Sequence, residues 1–321
     1  MSTGNSAERL QASREAAAKT KGFQRITALF DEGTFNEVDS FAKSGDGSAE
    51  VVAGYGEVDG CPVYAFVQNS DVDGGAMSKA QAAKIKKIYD LAVKTGSPVV
   101  GIYDSIGGRL NQGADMLAAY GEILLGNNNL SGVVPQISLV LGPCLGTSAM
   151  IAASADIVVM TEKAQLTIDT TGKDGAADDA AKLGICHVVA KDDKEAMEQV
   201  RKLLAVLPSN NLAGAPVFES SDSAEASLAA GADAKKVVEA ISDKGSFVEL
   251  NSAFGASAVT GLAQIDGSTV GIAALNGVLD ADSCSKACLL YTSRLTRLRV
   301  LTPWARCSCC FLVLVGQSLF Q

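Results

Sequence analysis

A strand that runs into a glycine turn and out into a helix, written twice in succession, narrows the possible folds more than any other feature of the chain. The second of the pair, residues 135–160, reads PQISLVLGPCLGTSAMIAASADIVVM. Residues 137–141 are β-branched and leucine-rich and bounded by turn residues, the pattern of a buried strand. Gly142, Pro143 and Gly146 break that run, and Ser148, Ala149, Ala152, Ala153 and Ser154 then suit a helix pressed against a neighbouring backbone. The first of the pair has the same build, with SPVVGIY as the strand, DSIGGRLNQG at 104–113 as the turn and a helix over 114–125. A helix opening from such a turn has its first N–H groups unpaired, where they can hold a developing negative charge. One glycine turn is most often a plain tight connection. Two in a row predict stacked β-β-α modules whose helix starts line one cleft.

The rest of the composition bounds the function. With 321 residues, 47% hydrophobic, the chain can bury a sizeable core and divide into more than one domain. A net charge of −9 argues against a nucleic-acid surface, since phosphate backbones need a cationic footprint. The N-terminal MSTGNSAERLQASREAAAKTKG has no apolar stretch of the secretory kind and predicts a solvated helix and a cytoplasmic protein. The eight cysteines are spread irregularly, without the two C-x-x-C pairs of a zinc ribbon, so no metal site is expected. Cys61, Cys144 and Cys186 read as small buried apolar residues.

Taken in order, a short helix ends at residues 31–33, and AEVVAGYGEVDGCPVYAFV at 49–67 is a hairpin closed on Asp59–Gly60. Residues 78–95 form an amphipathic helix with Ala82, Ile85, Ile88, Tyr89 and Ala92 on one face. Beyond the two glycine units come a strand at 184–189 and a helix at 192–207 that stops before Pro208. Residues 212–234, rich in Ala, Ser, Gly and acids, read as a linker. After it the opening of the chain returns: ISDKGSFVEL at 241–250 matches LFDEGTFNEV at 29–38, and VTGLAQIDGSTVGI at 259–272 matches VAGYGEVDGCPVYA at 52–65. The offset of about 210 residues is a domain length, so the pattern is a duplicated domain. The expected divisions are a complete domain at 1–211, a linker at 212–234, the start of a second copy at 235–288 and an aberrant or foreign tail at 289–321. That tail has arginines but no Asp or Glu, and its apolar run at 311–315 is too short to span a bilayer.

RITALFDEGTF, GYGEVDGCPVYAF, SGVVPQISLVLGPC and LPSNN together resemble the carboxyltransferase family of biotin-dependent acyl-CoA carboxylases and decarboxylases, over about residues 25–211 and again over 235–287. The resemblance implies an α/β fold, a crotonase/ClpP-like spiral of ββα units, with one complete domain and the start of a duplicated second one. It implies an acyl-CoA thioester as substrate, biotin on a carrier protein as cofactor, and a homo-oligomer. The further partners implied are a biotin carboxyl carrier protein or biotin carboxylase subunit and, for a decarboxylase, membrane subunits.

The implied chemistry moves a carboxyl group between biotin and the α-carbon of the thioester through an enolate held by backbone N–H pairs. By resemblance the catalytic amides fall on Gly146 and Thr147, at the family's glycine pair, and on Gly107 and Gly108. Arg109, Ile106, Gly142 and Cys144 fall at the cofactor-contacting positions. The chain departs from the family pattern where Thr147 and Ile106 replace glycines, and it is shorter between Leu166 and Gly184.

Other residues admit other readings. Ser148 with His187, the only histidine, and Asp156 or Asp169 would make a serine hydrolase; the plainer reading is a packed serine and a core histidine. Arg109 suits a CoA phosphate or an ion pair, and Lys79, Lys84, Lys86 and Lys87 suit a nucleotide or, more simply, a solvated helix face. Asp71 and Asp73 beside Gly74 and Gly75 lack the spacing of a calcium loop and read as a turn. The functional alternatives are another crotonase-type acyl-CoA hydrolase and a non-catalytic assembly subunit.

Overall fold

The computed structural model describes residues 6–43, 49–169, 174–219, 233–276, 278, 280–292 and 312–316. Its contacts divide it into two units, 1–177 with 190–201, and 178–189 with 202–321.

The first unit opens with helices α1 (Ser6–Ala18) and α2 (Lys21–Leu29), the latter capped by Thr20, whose Oγ1 accepts from the Phe23 N–H. Strands β1 (Asn36–Glu37), β2 (Val51–Val58) and β3 (Cys61–Gln68) come next as an antiparallel meander. Asp59 and Gly60 close β2 onto β3 with φ of 50° and 74°, the left-handed pair that a two-residue hairpin requires. Then come α3 (Lys79–Thr95), β4 (Val99–Ser105), α4 (Ala114–Leu130), β5 (Gln136–Leu145), α5 (Thr147–Ala153), β6 (Ile157–Thr161) and β7 (Gln165–Thr167); α6 (Ala177–Lys182) and β8 (Val188–Ala190) fall almost wholly in the second unit, and α7 (Asp193–Val206) begins in the first. From β3 onward the order β3-β4-β5-β6 is parallel, and β7 lies beside the last residues of β5. Every residue of β4 is buried, as a parallel strand covered on both faces demands. Parallel neighbours end on the same side, so β4 and β5 deliver their two glycine turns together.

Two local expectations are corrected. Lys84, expected on a solvated face of α3, is fully buried: it shares the inward stripe with Gln81, Ile85 and Ile88. Its Nζ donates to Val51 O at 2.9 Å and meets Glu37 at 3.2 Å, and burial pushes its pKa down against the pull of Glu37. Cys61 is exposed beside the hairpin turn, whereas Cys144 and Cys186 are buried.

The second unit contains α8 (Ala234–Ile241), β9 (Val248–Leu250), β10 (Ala258–Ile265), β11 (Ser268–Leu275), α9 (Ala281–Thr292) and β12 (Leu312–Gly316). Its sheet is antiparallel in the order β12-β11-β10-β9. Asp266 and Gly267 close the hairpin with φ of 50° and 71°, as in the first unit. Ala234, Val238, Val259, Ala263, Ile272 and Ala274 form its small core. Part of the stretch expected as linker runs along this hairpin: Phe218 N–H donates to Gly267 O at 2.8 Å, and Thr269 Oγ1 to Pro216 O at 3.1 Å. Residues 220–232 lie outside the described residues. So does most of the expected foreign tail, apart from the end of α9 and β12. Among the described residues no helix is long and apolar enough to cross a membrane.

Candidate active site

The two turns sit at the ends of β4 and β5. The strands pair in register from Val99 with Gln136 to Tyr103 with Val140, lose register, and regain it at Ser105 with Cys144. Across the break β4 supplies only Asp104 and β5 supplies residues 141–143. Asp104 fills the difference. A Cβ on Gly142 would overlap the Asp104 carboxylate, so only glycine fits opposite it. Asp104 is 8% exposed, and its Oδ2 accepts from Arg25 Nη1 at 2.6 Å; Arg25 Nε reaches Asp193 Oδ2 at 3.0 Å.

The first turn is stitched to residues 74–77. Ile106 N–H donates to Gly74 O at 3.1 Å, Met77 N–H to Gly107 O at 2.7 Å and Arg109 N–H to Met77 O at 2.9 Å. Gly107 N–H donates to Ser105 Oγ at 3.2 Å. In the second turn Gly146 has φ 64° and ψ −136°, a region closed to side chains, and its N–H donates to Thr167 O at 2.9 Å. Of the four amides expected to act, those of Gly107 and Gly146 are therefore engaged within the protein. The amides of Gly108 and of Thr147, the first residue of α5, have no acceptor among the described residues. The turns are neighbours: a Cβ at Gly107 would lie 3.9 Å from Leu145 O.

The residues expected at the cofactor divide. Arg109 grips Glu50 through Nη1 at 2.8 Å and Asp73 through Nη2 at 2.7 Å, so its fork holds the 73–78 loop and is not free for a phosphate. Ile106 is exposed. Gly142 faces Asp104. Cys144 is wholly buried, and burial, with the nearby Asp104 carboxylate, raises its thiol pKa. Lys79, Lys86 and Lys87 pair with Asp115, Glu122 and Asp39. Asp71 accepts the Lys21 N–H, which fits the turn reading of that loop.

Two of the hydrolase candidates, Ser148 and Asp156, have other partners within the first unit. Ser148 is 1% exposed and bonded to the Tyr120 hydroxyl at 3.3 Å, and Asp156 accepts the Gln136 N–H. His187 belongs to the second unit, where burial pushes its pKa down to about 4. Among the described residues no three His, Cys, Asp or Glu side chains are grouped to hold a metal. Spacing does not single out Arg25 or Asp104; the available signal is Arg25 opening the RITALFDEGTF motif. Arg25 also lines a cavity of about 600 Å³ between α2 and α7, with Lys21, Met197 and Arg201.

Residues 14–290 match the carboxyl transferase domain family. The chain belongs to this family. It is 35% identical to the propionyl-CoA carboxylase beta chain of Saccharopolyspora erythraea, over 87% of the chain and 60% of that protein. It is 34% identical to the methylmalonyl-CoA decarboxylase subunit alpha of Veillonella parvula, over 85% of the chain and 62% of that protein. Among solved structures it resembles transcarboxylase 12S, a hexamer with methylmalonyl-coenzyme A and methylmalonic acid bound, at 30% identity and a TM-score of 0.78 over 88% of the chain and 63% of that one. The chain thus spans about three-fifths of these carboxyltransferases. Its fold is crotonase-like, as the motifs imply.

Proposed function

We propose that this chain carries the thioester half-site of a biotin-dependent acyl-CoA carboxyltransferase. The observation that supports it is the pair of neighbouring turn amides, Gly108 and Thr147, that have no acceptor among the described residues. When the bond from the α-carbon to the carboxyl group breaks, the electron pair moves onto the thioester oxygen as an enolate. Fixed N–H donors favour that anion over the neutral ground state without a titrating side chain. Thr147 serves as well as glycine there, because the donor is backbone and the first position of a helix suits most residues.

Methylmalonyl-CoA or malonyl-CoA is the substrate class, by analogy with the relatives' names. Biotin on a carrier protein would accept or supply the carboxyl group, and a homo-oligomer would complete the assembly.

The test uses a nitroalkyl thioether of coenzyme A, whose nitronate imitates the enolate, against methylmalonyl-CoA, each titrated into the full chain. The nitronate should bind the tighter. Thr147→Pro removes one N–H at a helix position proline tolerates, and should cut that preference by about 10²-fold. Thr147→Gly should keep it. Equal affinity of the unaltered chain for both probes overturns the proposal.

A further inference from the structure

On the enolate-binding reading proposed above, we infer that Arg25 and Asp104 are a positioning pair that sets the gap between the two turns. The distance from Gly108 to Thr147 depends on how the register break between β4 and β5 is filled, because the strands pair regularly on either side of it. A break of this kind re-aims the chain beyond it. Here the filling is a carboxylate, not an apolar side chain. Asp104 occupies the space above Gly142 and is almost wholly buried.

A buried carboxylate holds its place only with a counter-charge, and Arg25 Nη1 supplies it at 2.6 Å. Arg25 is itself tethered from the far side, since its Nε bonds Asp193 at the start of α7 at 3.0 Å. The main chain of Asp104 is pinned as well: a Cβ on Gly75 would overlap its carbonyl oxygen, and Gly74 O takes the Ile106 N–H two residues on. One residue therefore joins the loop at 73–77, the first turn, and the arch of β5 that leads to the second. Without Arg25 the carboxylate would draw water into the break, and the arch at 141–143 would relax. Neither side chain touches the reacting atoms. Their effect is on the spacing of the amides, where a displacement of about 1 Å can cost about 10²-fold.

The experiment measures the preference for the nitronate probe over methylmalonyl-CoA in Arg25→Met, Arg25→Lys and Asp104→Asn, alongside thermal melts of each. Arg25→Met and Asp104→Asn should lose about 10²-fold of the preference while their affinity for methylmalonyl-CoA changes little. Arg25→Lys should fall between, because an ammonium keeps the charge without the fixed donor geometry of the planar guanidinium. Asp193→Asn removes only the exposed arm and should keep the preference. Should Arg25→Met fail to fold, Asp104→Asn, which preserves the shape of the side chain, decides. Full preference retained by Asp104→Asn and by any folded Arg25→Met, with melting temperatures lowered, would mean a purely structural pair and overturn the positioning role alone. An unaltered chain with no preference removes the reading of the turns and the positioning role together.

Discussion

The two hairpins of this chain are built alike to the level of single hydrogen bonds, and they differ in the structure each one leads into. In the first, Asp31 accepts the Gly60 N–H at 3.0 Å, Asp31 N–H donates to Glu57 O, and Thr34 Oγ1 links Asp31 O to the Glu57 N–H. In the second, Asp243 accepts the Gly267 N–H at 2.8 Å, Asp243 N–H donates to Gln264 O, and Ser246 Oγ links Asp243 O to the Gln264 N–H. A buried lysine closes each from the next helix, Lys84 to Val51 O and Lys286 to Ala258 O. The differences are electrostatic and topological. Arg201 joins Asp31 to Asp59 in the first copy, whereas Asp243 has no ion pair among the described residues. Beyond the hairpin, the first copy goes on to the two glycine turns. The hairpin and its lysine are thus scaffold, held in common, and the candidate chemistry lies in the glycine turns that, among the described residues, follow the first hairpin.

The lysines offer the sharpest way to break this equivalence. Lys84→Met leaves Glu37 without its partner and should cost about 3–5 kcal/mol in urea unfolding of the first unit. Lys286 has no carboxylate within ion-pair distance among the described residues, so Lys286→Met exchanges one hydrogen bond for relief of desolvation. It should stay within about 1 kcal/mol of the parent.

Acid should separate the units next. His187 lies in the second unit and is the chain's only histidine. Burial lowers its pKa from 6.5 to about 4, so the unfolded chain takes up the proton first as the pH falls. Its contribution to stability is present above pH 6.5 and lost toward pH 4, roughly 3 kcal/mol in all. Relative to the intrinsic exchange rate at each pH, amide protection between pH 7.5 and 4.5 should fall in β10 and β11 before β2 and β3, and His187→Gln should flatten that difference.

The smallest contrast concerns Gly54 and Gly261. A Cβ on either would overlap the facing carbonyl, of Asn36 or Val248, and crowd the ring of Phe35 or Phe247. Gly54→Ala and Gly261→Ala should each destabilise their own unit by about 2 kcal/mol, and by similar amounts. A large inequality would show that the two packings are not equivalent.

Much of this is legible in the residues alone. Alternating apolar positions around Asp59–Gly60 and Asp266–Gly267 place both hairpins, and the apolar face of residues 78–95 places α3. Lys84 escapes such a reading because a charge suggests solvent, and only its place on the stripe of Ile85 and Ile88 says otherwise. The glycines mark the two turns but not which amides remain open. That depends on Thr167 and Ser105, whose acceptors reach Gly146 and Gly107 only after the chain has folded. Asp104 is hidden for the same reason, since a lost register between two strands leaves no trace in either strand's own pattern.

Both hairpin tips carry Asp-Gly, the dipeptide most given to ageing through a cyclic imide, in which the glycine nitrogen attacks the aspartate side chain. Here each of those nitrogens already has its hydrogen held by a different carboxylate, Asp31 at one tip and Asp243 at the other. The same contacts that shape the tips should therefore also slow their chemical decay, leaving two turns that keep their L-aspartate.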